Sequence, residues 1–438
     1  MNVYLNLEIE KRELPAKILL ALDSALKGNE VFVGRLMPYL LRNFFCPGIV
    51  HFKSITPGNS RINELKFFRD RKYLTTTIDE EHGIIDIKPD YTKWRFSEVT
   101  LNLIDKVFNW GDFDYQNLIK EYPKYKKKFL KSGNPRIDLW RQDFKKYYKL
   151  ISNINIKDYI FFSTNFECFS RVPLKKVINF HNKAGYFKRG LTKKSLIRDF
   201  KESEIIFRGY KKAMINLSLK FIDKIIVIRP HPRDDIQKWK QIFKNYENII
   251  ITSEGYLSDW IERSKVVVHY GCTGGLEASV RDKFTISYNP VKNLKSEKRY
   301  SDSLSKKVFN EKELINKIEK VFMSKSKLKK NIHKSFLKRA INFSHVSEPS
   351  YKLITGYWQK NAKKFKKKNR LWFLKINFFL RDLRMKLLLK KYGNHKFSFF
   401  NKDEVKEIIE RLKHVDKKFD KVSVDFIKKD ILRFYCKK

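Results

Sequence analysis

Basic side chains follow an apolar run in the segment Ile226–Asp235, which reads IVIRPHPRDD. The run is typical of a buried strand, and two prolines restrict the turn that comes next. Arginine and histidine side chains at a strand end can donate charge-assisted hydrogen bonds to a diphosphate or to a nucleotide monophosphate leaving group. A hydrogen-bonded structural histidine is the alternative. The phosphate-binding candidates are Arg229, His231, Pro232 and Arg233, and His231 is also a candidate catalytic residue.

A second apolar run ends in a glycine-containing turn in the segment Lys265–Ser279, KVVVHYGCTGGLEAS. The pattern predicts a strand ending at His269 and a helix opening at Leu276, with Glu277 in its first turn. Backbone N–H groups at such a helix start would form an anion cradle, and Glu277 could accept hydrogen bonds from a ribose diol. A glycine turn with an acidic residue that counters the helix dipole is the alternative. The nucleotide-binding candidates are Gly271, Thr273, Gly274, Gly275 and Glu277.

Adjacent carboxylates follow a predicted strand in the segment Thr75–Gly83, TTTIDEEHG. Crowding raises the pKa of at least one of them, which suits a general base that deprotonates an acceptor hydroxyl. The residue types leave open whether Asp79, Glu80 or Glu81 is the base. A solvated acidic loop is the alternative, since perturbed carboxylates mark sites only statistically.

Other polar residues are expected to follow strands of the N-terminal half. Arg136 lies in the motif SGNPRIDLWR, where Asp138 could cap the helix that begins there. Arg136 could reach a phosphate or the acceptor, although a purely structural turn fits the motif equally well. The acceptor-binding candidates are Glu8, Arg12, Lys53 and Arg136, with Glu13 and Ser54 next to them in the sequence.

Composition and missing motifs narrow the classes of function. A chain of 438 residues with 42% hydrophobic and 15% aromatic residues is expected to form two or three globular domains. The four cysteines lie far apart without a CxxC pair, which indicates reduced thiols and neither a zinc site nor a disulfide framework. The sequence contains no Walker loop, GxGxxG, GxSxG or metal-ligand spacing. We therefore expect chemistry without a metal or cofactor, in which arginine, histidine and backbone dipoles replace Mg²⁺.

Short apolar runs alternate with amphipathic segments through the first 150 residues, and the pattern restarts near Tyr159. Strands that alternate with helices predict a parallel, doubly wound α/β fold. Two such halves in succession predict a two-lobed enzyme with its ligand in a cleft, beyond the carboxyl ends of the strands. The predicted strands are Val3–Ile9, Val31–Gly34, Ile49–Ser54, Tyr73–Asp79, Lys106–Trp110, Phe129–Ser132, Tyr159–Ser163, Lys224–Ile228, Ile249–Thr252, Lys265–His269 and Phe284–Tyr288.

The chain is predicted to be helical, without strands, from about Asn310 onward. Its formal net charge is +47, and residues 349–438 hold 27 Lys or Arg against 9 Asp or Glu. Basic and apolar residues interleave over 363–391, which favours an interfacial helix on anionic lipid. A basic helix that packs an apolar stripe on the catalytic core is the alternative. We expect an acceptor lobe at 1–150, a nucleotide-sugar donor lobe at 151–310, a helical return segment at 311–350 and a basic helical extension at 351–438.

These motifs resemble those of the bacterial family of surface carbohydrate biosynthesis proteins. The resemblance runs from LEIEKREL near the N-terminus through KSITP, IDEEHG, RFSE, WGDFDY, GNPRIDLWR, STNF and RPHPRDD to HYGCTGGLEA, so the basic tail lies outside it. The RPHP motif and the Gly/Thr turn are also similar to motifs of capsule sialyltransferases and Kdo-transferases, which use CMP-activated 2-keto acids. They are similar as well to those of the CDP-glycerol glycerophosphotransferases of teichoic acid synthesis.

The resemblance implies a GT-B fold and specific roles for three residues. It implies His231 at the donor phosphate, Thr273 near a phosphate or carboxylate, and Glu277 near the ribose. In the sialyltransferases and Kdo-transferases, an Asp/Glu–Asp/Glu–Gly motif supplies the base. Here the sequence reads Asp79-Glu80-Glu81-His82-Gly83, with a residue or two inserted before the glycine, so the identity of the base stays open.

The predicted function is that of an inverting glycosyltransferase in bacterial capsule or lipopolysaccharide biosynthesis. The expected donor is a nucleotide-activated sugar, with a CMP-linked Kdo-type or nonulosonic keto acid preferred, and the acceptor is a glycan or a lipid-linked glycan. Three alternatives stay open: a CDP-glycerol-like alditol phosphotransferase, a degenerate lobe that serves as an assembly partner, and a non-catalytic basic protein that binds nucleic acid or membrane. No nucleic-acid motif is visible, so no nucleic-acid partner is expected. Without a signal peptide or an apolar span, the expected location is cytoplasmic, peripheral on the plasma membrane.

Overall fold

The chain folds into two compact units, each built on a parallel β-sheet. Unit 1 comprises Met1–Gly83, Tyr91–Lys149 and Ser335–Lys438, and unit 2 comprises Ile84–Asp90 and Leu150–Lys334. The computed structural model describes residues 1–81, 89–149, 156–166, 171–231, 234–291, 300–324, 334–343, 347–365, 369–388 and 399–436.

Fourteen strands lie within the described residues: β1 Asn2–Asn6, β2 Glu30–Gly34, β3 Ile49–Phe52, β4 Leu74–Ile78, β5 Lys106–Asn109, β6 Phe129–Lys131, β7 Tyr159–Ser163, β8 Ile226–Arg229, β9 Ile249–Ile251, β10 Ser264–His269, β11 Phe284–Tyr288, β12 Lys306–Val308, β13 Val422–Lys428 and β14 Ile431–Cys436. The predicted strands are confirmed, with ends that differ by a few residues.

The α-helices of the same residues are α1 Glu10–Leu26, α2 Met37–Leu40, α3 Asn59–Asp70, α4 Pro89–Arg95, α5 Glu98–Leu103, α6 Asp112–Glu121, α7 Pro135–Asp138, α8 Lys145–Lys149, α9 Leu174–Lys183, α10 Lys193–Lys220, α11 Ile236–Ile242, α12 Leu257–Arg263, α13 Thr273–Val280, α14 Tyr300–Leu304, α15 Glu311–Met323, α16 Lys334–Ile341, α17 Ser350–Lys360, α18 Leu371–Leu388 and α19 Lys402–Val415. Within these ranges, no helix combines the length and the apolar character needed to cross a bilayer.

The sheet of unit 1 has the strand order β13-β14-β2-β1-β3-β4-β5-β6. Strands β1 to β6 are parallel, and the chain moves from β1 to β2 in one direction and from β3 to β6 in the other. The switch in direction therefore lies between β1 and β3, where open α/β sheets bind their ligands beyond the carboxyl ends of the strands.

Both faces of this sheet are covered, which explains why its strands read as continuous apolar runs. An aromatic core that includes Tyr4, Phe32, Phe52 and Phe68 packs on one face. On the other face Trp358 of α17 lies against His51, with ring centroids 5.4 Å apart. The sheet is thus doubly wound, as predicted.

The sheet of unit 2 has the order β12-β11-β10-β7-β8-β9, and all of its pairs are parallel. Numbered from β7, this is the 3-2-1-4-5-6 order of a Rossmann fold read from the opposite edge. Its switch point lies between β7 and β10. Helices cover both faces here as well: Tyr210 of α10 and Trp239 of α11 belong to the core on one face, whereas Trp260 of α12 packs on Tyr159.

The end of the chain differs from the prediction in one respect. The region beyond Asn310 is mostly helical, as expected, but the expectation of no strand there is wrong because β13 and β14 form an antiparallel hairpin. Strand β14 pairs antiparallel with β2, opposing Ile431 to Gly34, and so extends the sheet of unit 1. A Cβ at Gly34 would lie 2.0 Å from the Asp430 carbonyl oxygen, so only glycine permits this approach. Helices α17, α18 and α19 also belong to unit 1.

Candidate functional site

The switch point of unit 1 carries polar residues that were predicted to bind an acceptor. Glu8 follows β1 and Lys53 follows β3, and the Lys53 Nζ lies 2.8 Å from a Glu8 carboxylate oxygen. The Glu8 backbone N–H also donates to the Glu13 carboxylate at 3.1 Å. Two residues predicted from separate strands therefore meet at the point where the topology favours a ligand.

Asp79, the first carboxylate after β4, is held in a structural pair. The Arg95 guanidinium donates to both Asp79 carboxylate oxygens at 2.8 Å, and Asp79 is 3% exposed. The Asp79 side chain also accepts the Glu81 backbone N–H at 3.0 Å. A bidentate pair of this kind is geometrically specific, and it occupies both oxygens of the carboxylate.

Glu80 is the central carboxylate of the loop and is 4% exposed. Its backbone N–H donates to the Lys53 carbonyl at 3.0 Å, which fixes the loop against the end of β3. Asn134 donates to Glu80 Oε2 at 3.2 Å, and an Arg136 nitrogen lies 3.6 Å from the same oxygen. The structure thus brings Arg136, predicted as an isolated candidate, to the carboxylate motif.

Glu81 is the most exposed of the three carboxylates and lies between two arginines. Arg12 approaches one of its oxygens at 3.2 Å, and Arg95 approaches the other at 3.4 Å. Burial opposes the charged form of Glu81, but Arg95 and Arg12 outweigh it and hold the pKa of this carboxyl below its ordinary value. A carboxylate with a lowered pKa is a weaker base. His82 and Gly83, which complete the motif, lie outside the described residues.

A buried polar cluster beneath this edge was missed by the sequence analysis. Glu13 and Lys17 of α1 and His51 of β3 are buried, and neither the Lys17 ammonium nor the His51 Nε2 has a hydrogen-bond partner among the described residues. Burial raises the pKa of Glu13, and burial together with Lys17 holds the pKa of His51 well below its ordinary value. A signal was present, since Lys17 interrupts the apolar run around it and His51 lies inside a strand. Arg95 and Asn134 were missed as well, because no spacing rule connects them to the carboxylates.

Asp138 has a different role from the predicted one. Helix α7 is capped by Asn134, whose side chain accepts the Arg136 backbone N–H at 2.9 Å. Asp138 instead accepts the backbone N–H groups of Ser350 and Tyr351, at 3.0 and 2.8 Å, at the start of α17. The carboxylate therefore holds the returning C-terminal region on unit 1.

The switch point of unit 2 is formed largely by backbone. Helix α13 begins at Thr273, three residues before the predicted start, so its glycines lie in the first turn. A Cβ at Gly274 would lie 2.5 Å from Ser163 Oγ, at the end of β7, and a Cβ at Gly275 would lie 2.4 Å from the His269 ring, at the end of β10. The two glycines therefore let the N-terminus of α13 pack directly on the two strands that flank the switch point. Gly271, in the turn before it, has a φ of 53°, a left-handed conformation that favours glycine.

The early start of α13 also changes the environment of Glu277. This residue is the fifth of the helix, and the prediction that it lies in the first turn is wrong. Its buried carboxylate accepts a hydrogen bond from Arg281 at 3.0 Å, and Arg281 also contacts Glu262 and the Ser258 carbonyl. The carboxylate thus belongs to a buried ion-pair network within unit 2.

The motif after β8 has well-defined partners. The Arg229 guanidinium donates to carbonyls of the 253–255 loop, including that of Gly255 at 2.7 Å, and burial lowers its pKa to about 10. The His231 backbone N–H donates to Asp234 at 3.2 Å, and Asp234 also accepts from Trp239 Nε1 at 3.3 Å. Pro232 and Arg233 lie outside the described residues. Within this motif, Arg229 therefore holds the loop after β9, whereas Asp234 fixes the backbone at His231.

No protein-family model and no curated protein sequence matches this chain. Among solved structures, it is similar to a UDP-N-acetylglucosamine 2-epimerase, so described, from Listeria monocytogenes, at 11% identity and a TM-score of 0.50 over 83% of this chain and 97% of that one. A UDP-GlcNAc 2-epimerase from Neisseria meningitidis bound to UDP-GlcNAc gives 13% identity and a TM-score of 0.46 over 82% and 100% of the two chains. The wall teichoic acid polymerase TagF gives 13% and 0.43 over 72% and 73%. The first similarity bears on the fold alone, which is α/β and GT-B-like, with two Rossmann-like, doubly wound lobes.

Proposed function

We propose that this protein is an inverting glycosyltransferase of bacterial surface polysaccharide biosynthesis that uses a nucleotide-activated sugar. The observation that carries the proposal is the packing of the α13 N-terminus on the ends of β7 and β10, at the switch point of a Rossmann-ordered sheet. A helix N-terminus presents unpaired N–H groups and a positive dipole, both of which favour a phosphate. The assignment to surface polysaccharides rests on the resemblance of the sequence motifs.

Unit 2 would bind the donor nucleotide. The backbone N–H groups of Thr273 and Gly274, with the hydroxyl of the half-buried Thr273, would receive the phosphate, and His231 would donate to the departing nucleotide. The loop carbonyls that Arg229 contacts would be held in place by its guanidinium. These dipoles and donors would stabilise the leaving group without a metal ion. Glu277 retains the role at the ribose that the resemblance implies only if its pair with Arg281 opens.

Unit 1 would supply the general base, and the geometry favours Glu80. Both Asp79 oxygens are engaged by Arg95, and the pKa of Glu81 is lowered by two arginines in spite of its burial. Glu80 is positioned by its own backbone and by Asn134, so it would take the proton from the acceptor hydroxyl as that oxygen attacks the anomeric carbon. Direct displacement of the nucleotide then inverts the configuration at that carbon. Glu8, Arg12, Lys53 and Arg136 would contact the acceptor.

The most specific part of the proposed function is the chemical class of the sugar donor. A CMP-activated Kdo-type or nonulosonic keto acid is preferred because the RPHP motif and the Gly/Thr turn are similar to those of transferases that use such donors. The transfer would release CMP, form a glycosidic bond to the acceptor oxygen and pass the acceptor proton to Glu80. Phosphorus would stay on the nucleotide.

Nucleotide binding provides the first test of this proposal. Calorimetric titration with CMP, CDP, UMP, UDP, GDP and ADP should show micromolar binding of CMP that weakens in Gly274→Ala, because that Cβ displaces the α13 N-terminus from Ser163. Gly58→Ala serves as the control, since its Cβ meets no atom within 4 Å. Preference for UDP or GDP would overturn the CMP assignment and keep the donor site, whereas binding of none of the nucleotides would overturn the proposed function.

Turnover provides the second test. With a CMP-keto acid and a glycan acceptor, Glu80→Gln should lower kcat by about 10²–10⁴-fold while CMP affinity stays unchanged. Glu98→Gln makes the same chemical change at an exposed carboxylate of unit 1 and should leave kcat unchanged. A product that contains phosphorus from the donor would show an alditol phosphotransferase instead.

A further inference from the structure

Helix α18 exposes a continuous apolar face. Its exposed large apolar side chains are Trp372, Phe373, Ile376, Phe379, Leu380 and Leu383. Their spacing of three, four and seven residues places all six on one side of an α-helix. Trp372 is 60% exposed and Phe379 is 68% exposed, so this side of the helix lies open in the folded chain.

The opposite face of α18 is anchored on unit 1. Leu374 and Phe378 are buried in its aromatic core, and the Phe378 ring lies 4.7 Å from that of Tyr39. Asp382 forms an ion pair with Lys428 at 2.8 Å, close to the hairpin turn. Anchoring of one face keeps the other directed away from the core, so exposure of the apolar stripe does not depend on the helix detaching.

Cationic side chains accompany this stripe. Lys363, Lys364 and Arg370 precede it and Lys375 lies within the helix, and all four are exposed. Their charge fits an anionic surface, and each basic residue near such a surface adds to binding. A second copy of this chain fits less well, because every copy carries a net charge of +47 and would bring the same cations to the interface.

We propose that α18 is an interfacial helix that binds the surface of an anionic lipid bilayer. The aromatic and aliphatic stripe enters the boundary between headgroups and acyl chains, and the flanking lysines and arginines contact the headgroup phosphates. This inference does not depend on the proposed glycosyltransferase activity.

The contact between Asp382 and Lys428 also places α18 near the candidate site of unit 1. Lys428, the partner of Asp382, ends β13 directly before the hairpin turn, and Ile431 after the turn pairs with Gly34 at the carboxyl end of β2. The C-terminal half of α18 therefore approaches the edge of the unit 1 sheet that also carries Glu8 and Lys53. A bilayer bound by α18 would hold lipid-linked molecules near this edge.

Vesicle cosedimentation of the full chain tests the inference. We expect the protein to bind phosphatidylcholine vesicles that contain phosphatidylglycerol. Its binding to vesicles of phosphatidylcholine alone should be weaker. The double variant Phe373→Ser/Phe379→Ser should lower the partition coefficient by more than about tenfold, because two exposed rings no longer enter the bilayer. Phe309→Ser makes the same chemical change at an exposed ring outside α18 and serves as the control, since Phe309 of unit 2 is 42% exposed and Phe373 is 45% exposed. Thermal unfolding should be the same for all three proteins.

Two charge-reversal variants test whether the lysines that precede α18 contact the lipid headgroups. Lys363→Glu/Lys364→Glu should weaken binding to the anionic vesicles, whereas Lys193→Glu/Lys194→Glu, at exposed lysines of α10, should weaken it much less. Unchanged vesicle binding by the double serine variant would overturn the inference. A change from dimer to monomer in sedimentation velocity, caused by the same variant, would assign the stripe to a contact between copies and would overturn it as well.

Discussion

The carboxyl edges of the two sheets present different chemistry. The edge of unit 1 is a network of charged side chains in which Asp79, Arg95, Glu81 and Arg12 are linked in that order. The edge of unit 2 presents mainly backbone, with the first turn of α13 at the switch point and loop carbonyls at Arg229. Charged side chains can exchange protons, whereas backbone dipoles offer a fixed field. In our proposal, proton transfer therefore takes place in unit 1 and phosphate binding in unit 2.

The largest expected effect comes from removal of the Arg95 guanidinium. Arg95→Met leaves the buried Asp79 carboxylate without its bidentate partner, and the free energy of unfolding should fall by about 3–5 kcal/mol. Urea unfolding followed by tryptophan fluorescence measures this loss, because Trp110 Nε1 donates to the Asp79 carbonyl at 2.7 Å and so reports on this loop.

Two further variants control that experiment. Arg95→Met/Asp79→Asn removes the uncompensated charge and should regain part of the lost stability. Arg136→Met should cost less than Arg95→Met, because Asn134 still donates to Glu80. If Arg95→Met lost less than about 1 kcal/mol, the charges of unit 1 would not be structurally coupled and the contrast between the two edges would fail.

The corresponding variant of unit 2 changes the packing at the sheet edge instead of its charge. Gly275→Ala brings a Cβ within 2.4 Å of the His269 ring, which Ser305 also contacts at 2.7 Å, so the ring has little room to move. Overpacking of this kind should lower the free energy of unfolding by about 1–3 kcal/mol. Gly356→Ala is the control: it lies in helix α17 with no atom within 4 Å of its Cβ, and it should stabilise the protein by up to about 1 kcal/mol. Equal effects of the two variants in thermal unfolding would contradict close packing at the α13 N-terminus.

Much of the fold could be predicted because apolar periodicity and turn residues agree in both halves of the chain. The start of α13 could not, since Thr273, Gly274 and Gly275 have low helix propensity and the close packing of this turn on Ser163 and His269 is visible only in the folded chain. Strand β13 was missed although Val422, Val424 and Phe426 alternate with polar residues, because it lies in a strongly basic region that was predicted to be helical throughout.

The carboxylates of the candidate site could be predicted from the sequence, but most of the residues that pair with them could not. The motif Asp79-Glu80-Glu81 was found because parallel strands bring their ends to one edge. The pairing of Asp79 with Arg95, sixteen residues later, follows no helix or strand period, so only the folded chain reveals it. The selection of Glu80 as the base in our proposal depends on these partners.

A smaller effect should appear in the pH dependence of stability at Asp138. Burial raises the pKa of this carboxyl to about 7, against the lowering effect of the Ser350 and Tyr351 N–H groups. Between the unfolded pKa of about 3.9 and this value, the folded state retains a proton that the unfolded state releases. The contribution of Asp138 is therefore fully present at low pH and is lost as pH rises through 7.

Asp138→Asn should remove this dependence, since the amide does not titrate. The difference in unfolding free energy between the wild-type protein and the variant should fall by about 2 kcal/mol from pH 5 to pH 7. Chemical denaturation of both proteins at half-unit intervals of pH measures this difference. The contributions of the other titratable groups cancel in the subtraction. A difference that rose with pH would mean that Asp138 is ionised and stabilised by the α17 N-terminus.

The smallest expected effect concerns the ion pair between Lys53 and Glu8 at the switch point of unit 1. Both side chains are partly exposed, so Lys53→Met should change the free energy of unfolding by less than about 1 kcal/mol. Added salt should reduce even this difference, whereas it should leave the effect of Arg95→Met nearly unchanged because that pair is buried. Urea unfolding of both variants at low and high ionic strength measures the contrast. If salt reduced both effects equally, the Arg95–Asp79 pair would be as solvated as Lys53–Glu8, and the edge of unit 1 would lack the buried charge pair that distinguishes it from the edge of unit 2.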